Sequence, residues 1–82
     1  MAPTDSDLIE LFAAETLKEP ALFKLESTLE EINVDSVDMV SVFFALEDKY
    51  DVRVEYEEVS RQQTVAQVLA LVHSKIKSKA LT

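Results

Sequence analysis

Few residues in this chain are equipped for chemistry, and the one that raises a question is a serine. In the run NVDSVDMV, Ser36 lies between Asp35 and Asp38 among valines, with no histidine, lysine or cysteine nearby to activate it. Nucleophilic serine catalysis needs a base within hydrogen-bond reach, usually oriented by a third group. The sole histidine, His73, stands far along the chain among lysines and reads as a solvated residue near a helix end. One histidine with scattered carboxylates is not a metal-ligand set. The run DVRVEYEEVSRQ from Asp51 imitates a calcium loop, but it lacks the mid-loop glycine and ends on Gln62 where a bidentate glutamate is needed. The chain is therefore not expected to be an enzyme by itself. A hydroxyl with nothing beside it to awaken it can instead serve as a tether that a separate enzyme loads, provided position 36 is exposed.

The elements that must position this serine can be read from caps and periodicity. Thr4 and Asp7 form a capping-box pattern, and Leu8, Leu11 and Phe12 share a face with Ile9 beside it. A first helix is expected from residue 5 to Lys18, stopped by Pro20. Residues 19–34 carry Leu22, Leu25, Leu29 and Ile32 at helical spacing but also Ser27 and Thr28 in the middle. They are expected to form a long connection with one or two helical turns pinned by those apolar residues. Asp35 then caps a second helix, with Asp38 in its first turn, running to about Lys49 and burying Met39, Val42, Phe43, Leu46 and Tyr50. DVRVEYEE alternates like a strand that nothing else in the chain could pair with, so an extended loop and a short helix near 56–61 are expected. Thr64 and Gln67 cap a last helix whose Val65, Val68, Leu69, Val72 and Ile76 lie on one face, with Lys75, Lys77 and Lys79 at its end. The fold class expected is all-α: a small four-helix bundle of three longer helices and one short one. It forms a single domain over residues 1–82, with a core at about 5–76 and a basic tail at 77–82.

Composition narrows the function classes. The chain has 82 residues, 48% of them hydrophobic, enough for one small core of a globular kind. It contains no glycine, which excludes glycine-built phosphate loops and dinucleotide fingerprints, and no cysteine for disulfides or thiolate metal sites. The net charge of −8 is unevenly distributed. Residues 1–25 hold five acids and two bases, residues 26–58 eleven acids and two bases, and residues from 59 onward four bases and no acid. Such an acidic middle disfavours nucleic acid and anionic lipid and favours partners with basic patches. The start MAPTDSD lacks a signal-peptide pattern, and no apolar run reaches membrane-spanning length, so a cytoplasmic monomer without membrane insertion is expected.

The second helix has a second face. At 100° per residue its core side is centred on Met39, Phe43, Leu46 and Tyr50, while Val37, Val40 and Phe44 point elsewhere, bordered by Asp38, Glu47 and Asp48. One apolar face for the core and another among acids suggests docking of a partner. Ser36 sits at the helix N-terminus, where backbone N–H groups and the dipole favour an anion, so a phosphate ester on its hydroxyl would be accommodated there.

At this point the sequence resembles the acyl carrier proteins. LEEINVDSVDMVSVFFALEDKYDV is similar to their signature: an acidic pair, Asp-Ser-apolar-Asp, and an amphipathic helix ending in acids and an aromatic. The likeness continues through Val54, the EEV at 57–59 and TVAQVLALV at 64–72, and so covers nearly the whole chain. The resemblance implies that Ser36 carries 4′-phosphopantetheine, attached by a phosphopantetheinyl transferase using coenzyme A and magnesium. The arm's thiol would hold acyl groups as thioesters. Asp35 and Asp38 would assist modification, while Val37, Val40, Ser41, Phe44, Glu47 and Asp48 match positions used for partner recognition. The implied partners are that transferase, an acyl-loading enzyme, ketosynthases and other acyl-processing or acyltransferase enzymes with basic patches. The pathway would be fatty acid, polyketide or related specialised lipid biosynthesis. An aminoacyl or peptidyl carrier, or an unmodified acidic helical adaptor, are the alternatives.

The chain departs from the family pattern at four places. Asn33 replaces the usual glycine two residues before Asp35, and asparagine tolerates the left-handed backbone better than most residues. Ser41 stands where an acid is common. Phe43 and Phe44 are bulkier than usual, and Gln62 replaces a typically apolar residue near the pocket wall. These departures suggest a specialised pathway.

Overall fold

The computed structural model describes residues 3–80; residues 1 and 2 of the MAPTDSD start and residues 81 and 82 of the expected basic tail lie outside the described residues. Helix α1 spans Asp5–Thr16 and opens with the expected capping box, the Asp7 N–H donating to Thr4 Oγ1 at 3.1 Å and the Thr4 N–H to Asp7 Oδ2 at 3.0 Å. It ends two residues before Lys18. Leu17 takes the left-handed conformation (φ 57°), so that its N–H returns to the Ala14 carbonyl and that of Lys18 to the Ala13 carbonyl. This is a Schellman closure, normally the work of glycine. In a chain without glycine, a leucine that is 94% exposed fills the position.

The connection to the next helix contains two short helical turns, with a reverse turn between them in which the Ser27 N–H donates to the Lys24 carbonyl at 3.0 Å. The first is a 3-10 turn over Pro20–Leu22 with the proline at its start. The second is a capped helical turn at 28–33, where the Thr28 N–H donates to Glu31 Oε1 (2.7 Å) and the Glu31 N–H to Thr28 Oγ1 (3.1 Å). Asn33 (φ 63°) closes that turn, its N–H reaching the Glu30 carbonyl and the Val34 N–H reaching the Leu29 carbonyl at 2.9 Å. Leu29 and Val34, the residues such a closure brings together, are both buried. Two of the four apolar residues expected to pin the connection do not do so: Leu22 and Leu25 are about half exposed. Phe23 is buried in their place, with its ring centroid 6.4 Å from that of Phe12 on α1. Leu22 lies within a 3-10 turn, so the continuous helix that would have aligned it with Leu25 and Leu29 never forms.

Helix α2 spans Ser36–Tyr50 and buries Met39, Val42 and Leu46, with Phe43 and Tyr50 only half-buried at the core's edge. Asp51 (φ 56°) ends it. Val52, Val54 and Val59 of the following extended segment point inward. The short helix expected near 56–61 is a single 3-10 turn, Tyr56–Glu58. Beyond it Val59 is extended so that its side chain can enter the core, and the carbonyls of Arg61 and Gln63 accept from the N–H groups of Glu30 and Leu29. An isolated antiparallel bridge, Thr28 to Thr64, completes the seam between the two connections, and no strand occurs among the described residues.

Helix α3 spans Val65–Ala80 and starts from the expected Thr64–Gln67 capping box. Val65, Val68, Leu69 and Val72 are buried against α1 and α2 residues in one apolar cluster, and Ile76 is half-buried beside it. The helix carries Lys77 and Lys79 in its last turn, so this part of the expected tail is helical. His73 is not simply solvated: it is half-buried, and its Nε2 lies 2.7 Å from Asp5 Oδ1, joining α3 to the start of α1. The architecture is all-α, with three helices and two 3-10 turns among the described residues. None of these helices is long and apolar enough to cross a membrane.

Candidate functional site at the start of α2

Ser36 is the first residue of α2, and it is exposed. What precedes it fixes its position. Val34 is buried, its N–H is held by Leu29, and its carbonyl accepts from Arg61 Nε at 2.8 Å. Asp35 then caps the helix through Oδ1, which accepts the Asp38 N–H at 2.9 Å, while Asp38 Oδ2 accepts the Asp35 N–H at 3.3 Å. The two carboxylates flanking the serine are therefore engaged with backbone donors of the first turn. The N–H groups of Ser36 and Val37 belong to those that a helix start leaves without intrahelical partners. In the turn just before, the Thr28 N–H, and after it the Thr28 hydroxyl, hold the Glu31 carboxyl below its ordinary value.

This arrangement suits the attachment of a phosphate-linked group. The side chain is exposed, one oxygen of each neighbouring carboxylate is engaged in the cap, and the dipole of a fifteen-residue helix begins at this residue. The histidine of the chain is engaged elsewhere, its Nε2 2.7 Å from Asp5 Oδ1.

The other residues singled out from the sequence fall into two groups along α2. Val37 (73% exposed), Val40 (40%) and Phe44 (67%) form apolar exposed surface. Ser41, Phe44 and Asp48 come together with Leu11, Glu15 and Lys49 along an open groove between α2 and α1. Ser41 is half-buried there, whereas Glu47 and Asp48 are exposed. Val37 and Val40 do not line that groove.

Under the first half of α2 lies an apolar cavity of about 20 Å³, lined among others by Phe12, Phe23, Val34, Met39 and Phe43. A space of that size has room for about one water molecule. Phe43 contributes to its wall, while Phe44 faces out. Gln62 does not line it. It is exposed and bonded to Ser60 Oγ and to Glu30 Oε2 (3.4 Å). Sequence reasoning missed Arg61, because its partner, the Val34 carbonyl, is distant in the chain and no side-chain pattern announces it.

Comparison with known proteins agrees with this geometry. The family model described as the phosphopantetheine attachment site matches residues 6–72. The acyl carrier protein of Streptococcus thermophilus (strain CNRZ 1066) is 34% identical over 68 residues, covering 83% of this chain and 89% of that protein. The acyl carrier protein of Streptococcus pyogenes serotype M1 shows the same identity and coverage. That of Thermosynechococcus vestitus is 36% identical over 50 residues, 61% of this chain and 62% of its own length. No solved structure gives a match. The prosthetic group that accompanies these matches is covalently attached 4′-phosphopantetheine. With an exposed serine at a helix start, flanked by capping aspartates, inside a matched region that spans most of its length, the chain belongs to the acyl carrier protein family.

Proposed function

We propose that Ser36 is the attachment point of the arm and that the chain carries acyl intermediates as thioesters between enzymes of fatty acid, polyketide or related lipid biosynthesis. The observation that carries this reading is an exposed serine at the first position of α2, between two aspartates joined in the helix cap. When attached, the arm supplies a thiol that holds the acyl group. The protein's own residues present, orient and release. Asp35 and Asp38 hold the helix start in shape through their reciprocal cap and, in this reading, assist modification of the serine between them. Val37, Val40 and Phe44 supply apolar contact to partners, with Ser41, Glu47 and Asp48 at its border. Exposed anions steer encounter with basic partners more than they add lasting affinity, which suits a carrier that must let go. In this reading the 82 residues form one non-catalytic carrier domain, monomeric and cytoplasmic.

The test is covalent. Incubation with coenzyme A, magnesium and a broad-specificity phosphopantetheinyl transferase is expected to add one arm to the wild type, read by intact mass, and none to Ser36→Ala. An unchanged wild-type mass across several transferases would overturn the proposal and favour an unmodified adaptor. Intact mass of the species isolated from the native host would then identify the acyl cargo.

A further inference from the structure

We propose that Arg61 is a positioning residue for the phosphate of the arm, holding it against the start of α2. The proposal rests on the reading of Ser36 as the attachment point. It begins from the Arg61 side chain, which is half-buried and anchored at a fixed point: Nε donates to the Val34 carbonyl at 2.8 Å. The backbone of Arg61 is held as well, its carbonyl accepting the Glu30 N–H at 2.9 Å. A guanidinium has five N–H donors, and this bond uses only one of them. Among the described residues no carboxylate forms an ion pair with it; the pairs present are Arg53–Glu55, His73–Asp5, Lys75–Glu58 and Lys79–Asp51.

Val34 stands two residues before Ser36, and two residues span at most about 7 Å. The guanidinium is thus braced within a side chain's reach of where a phosphate ester on Ser36 would lie. That phosphate needs a cation. A phosphodiester adds a negative charge next to Asp35 and Asp38, with Glu30 and Glu31 in the turn before, and the helix terminus offers only about half a positive charge in return. Arg61 is the base that the structure ties to this segment, and its planar fork matches phosphate oxygens two at a time. The same residue therefore braces the turn leading to Ser36 and has donors left over for the group attached there.

A bracing role alone would affect the protein equally with and without the arm, so the experiment compares the two states. Apo and holo forms of wild type and Arg61→Gln are prepared, and intact mass first shows whether each holo sample carries one arm. A wild type that gains none refutes the Ser36 reading itself, separately from this one. Urea unfolding of the four species at low salt, with ³¹P NMR of the holo forms, follows. The expected result is that attachment shifts the unfolding equilibrium of wild type 3- to 10-fold more favourably than that of Arg61→Gln, on the order expected for coupled neighbours. The difference is expected to shrink as salt rises, and the ³¹P resonance to move in the variant. Equal effects of Arg61→Gln on apo and holo stability, with an unmoved ³¹P signal, would overturn the proposal and leave Arg61 as a brace. Should Arg61→Gln not fold, exchange of the Arg61 side-chain N–H protons with water decides in the wild type: slowing on attachment supports the contact, and no change overturns it.

Discussion

Replacing Asp35 separates two tasks that its carboxylate can perform: capping α2 and assisting modification of the adjacent serine. Its Oδ1 accepts the Asp38 N–H at 2.9 Å, and the reciprocal bond from its own N–H to Asp38 Oδ2 is longer, at 3.3 Å. Asp35→Ala removes the shorter bond and leaves a first-turn N–H without its acceptor. An N-cap loss of this kind costs about 1 kcal/mol, within a range of roughly 0.5–2. For a domain of this size about 1 kcal/mol lowers Tm by roughly 4–8 °C. Asp35→Asn keeps an oxygen at the same place, and asparagine caps about as well as aspartate, so its cost is expected to be a few tenths of a kcal/mol. Thermal unfolding of the apo proteins measures the cap. The rate of arm attachment, followed by intact mass under a phosphopantetheinyl transferase, measures the charge. Expected is an Asn variant that melts within about 2 °C of wild type yet is modified more slowly, and an Ala variant defective in both. If Asp35→Ala melts with the wild type, or if Asp35→Asn is destabilised as much as Asp35→Ala, the capping geometry is wrong. If Asp35→Asn is stable and modified at the wild-type rate, the carboxylate's charge has no part in attachment.

Three further outcomes follow from the surroundings of the site. Asn33 holds φ at 63°, so Asn33→Gly is expected to leave stability unchanged or raise it by under about 1 kcal/mol, whereas Asn33→Val should cost about 2 kcal/mol; urea midpoints measure both. Leu46 is 0% exposed at the centre of the core, and Leu46→Ala is expected to cost about 2–5 kcal/mol, a large part of what holds so small a domain folded. The Lys75 ammonium and then the Glu55 N–H hold the Glu58 carboxyl below its ordinary value of 4.5. A carboxyl depressed in the folded state gives its full stabilisation above pH 4.5 and loses it as pH falls through the lowered folded value. A carboxyl ¹³C titration of Glu58 with a midpoint at or above 4.5 would refute that pairing.

The start of each helix was legible in the sequence because caps are local. Thr4 with Asp7 and Thr64 with Gln67 form the expected capping boxes, and Asp35 caps α2 as expected, with Asp38 answering it in a reciprocal bond that its place in the first turn did not by itself announce. The ends were less legible. Helix termination usually shows as glycine, and in a chain without glycine the left-handed positions fall to Leu17, Asn33 and Asp51. Asn33 could be anticipated from its side chain's tolerance of that region, but nothing in a leucine announces it. The stretch 56–61 failed as a helix for a non-local reason, since Val59 is extended to reach the core and the Arg61 carbonyl accepts from the Glu30 N–H across the molecule. Arg61 was hidden for the same reason, and so was the exchange of Leu22 and Leu25 for Phe23 in the core. At the site itself, Ser36 and its flanking aspartates could be read because their spacing to the cap is written in adjacent residues. The brace behind them could not.

That brace bears on how a carrier works. The attachment residue has to be open, yet it must meet successive enzymes in a reproducible orientation, and exposed residues after a long connection tend to move. Here the competing demands are met one residue apart. Val34 is buried to 3% exposure and bonded on both its N–H and its carbonyl, Asp35 is exposed but locked into a reciprocal cap, and Ser36 beside it is open to solvent. The hydrogen bonds that fix Val34 come from two different connections, at Leu29 and at Arg61, so local fraying of either leaves the other in place. In the proposed carrier these bonds would favour a fixed point of attachment for the arm. In the same proposal, recognition would rest on the exposed face of α2, with Val37, Val40 and Phe44 on the helix that starts at that point and acids beside them to hasten encounter.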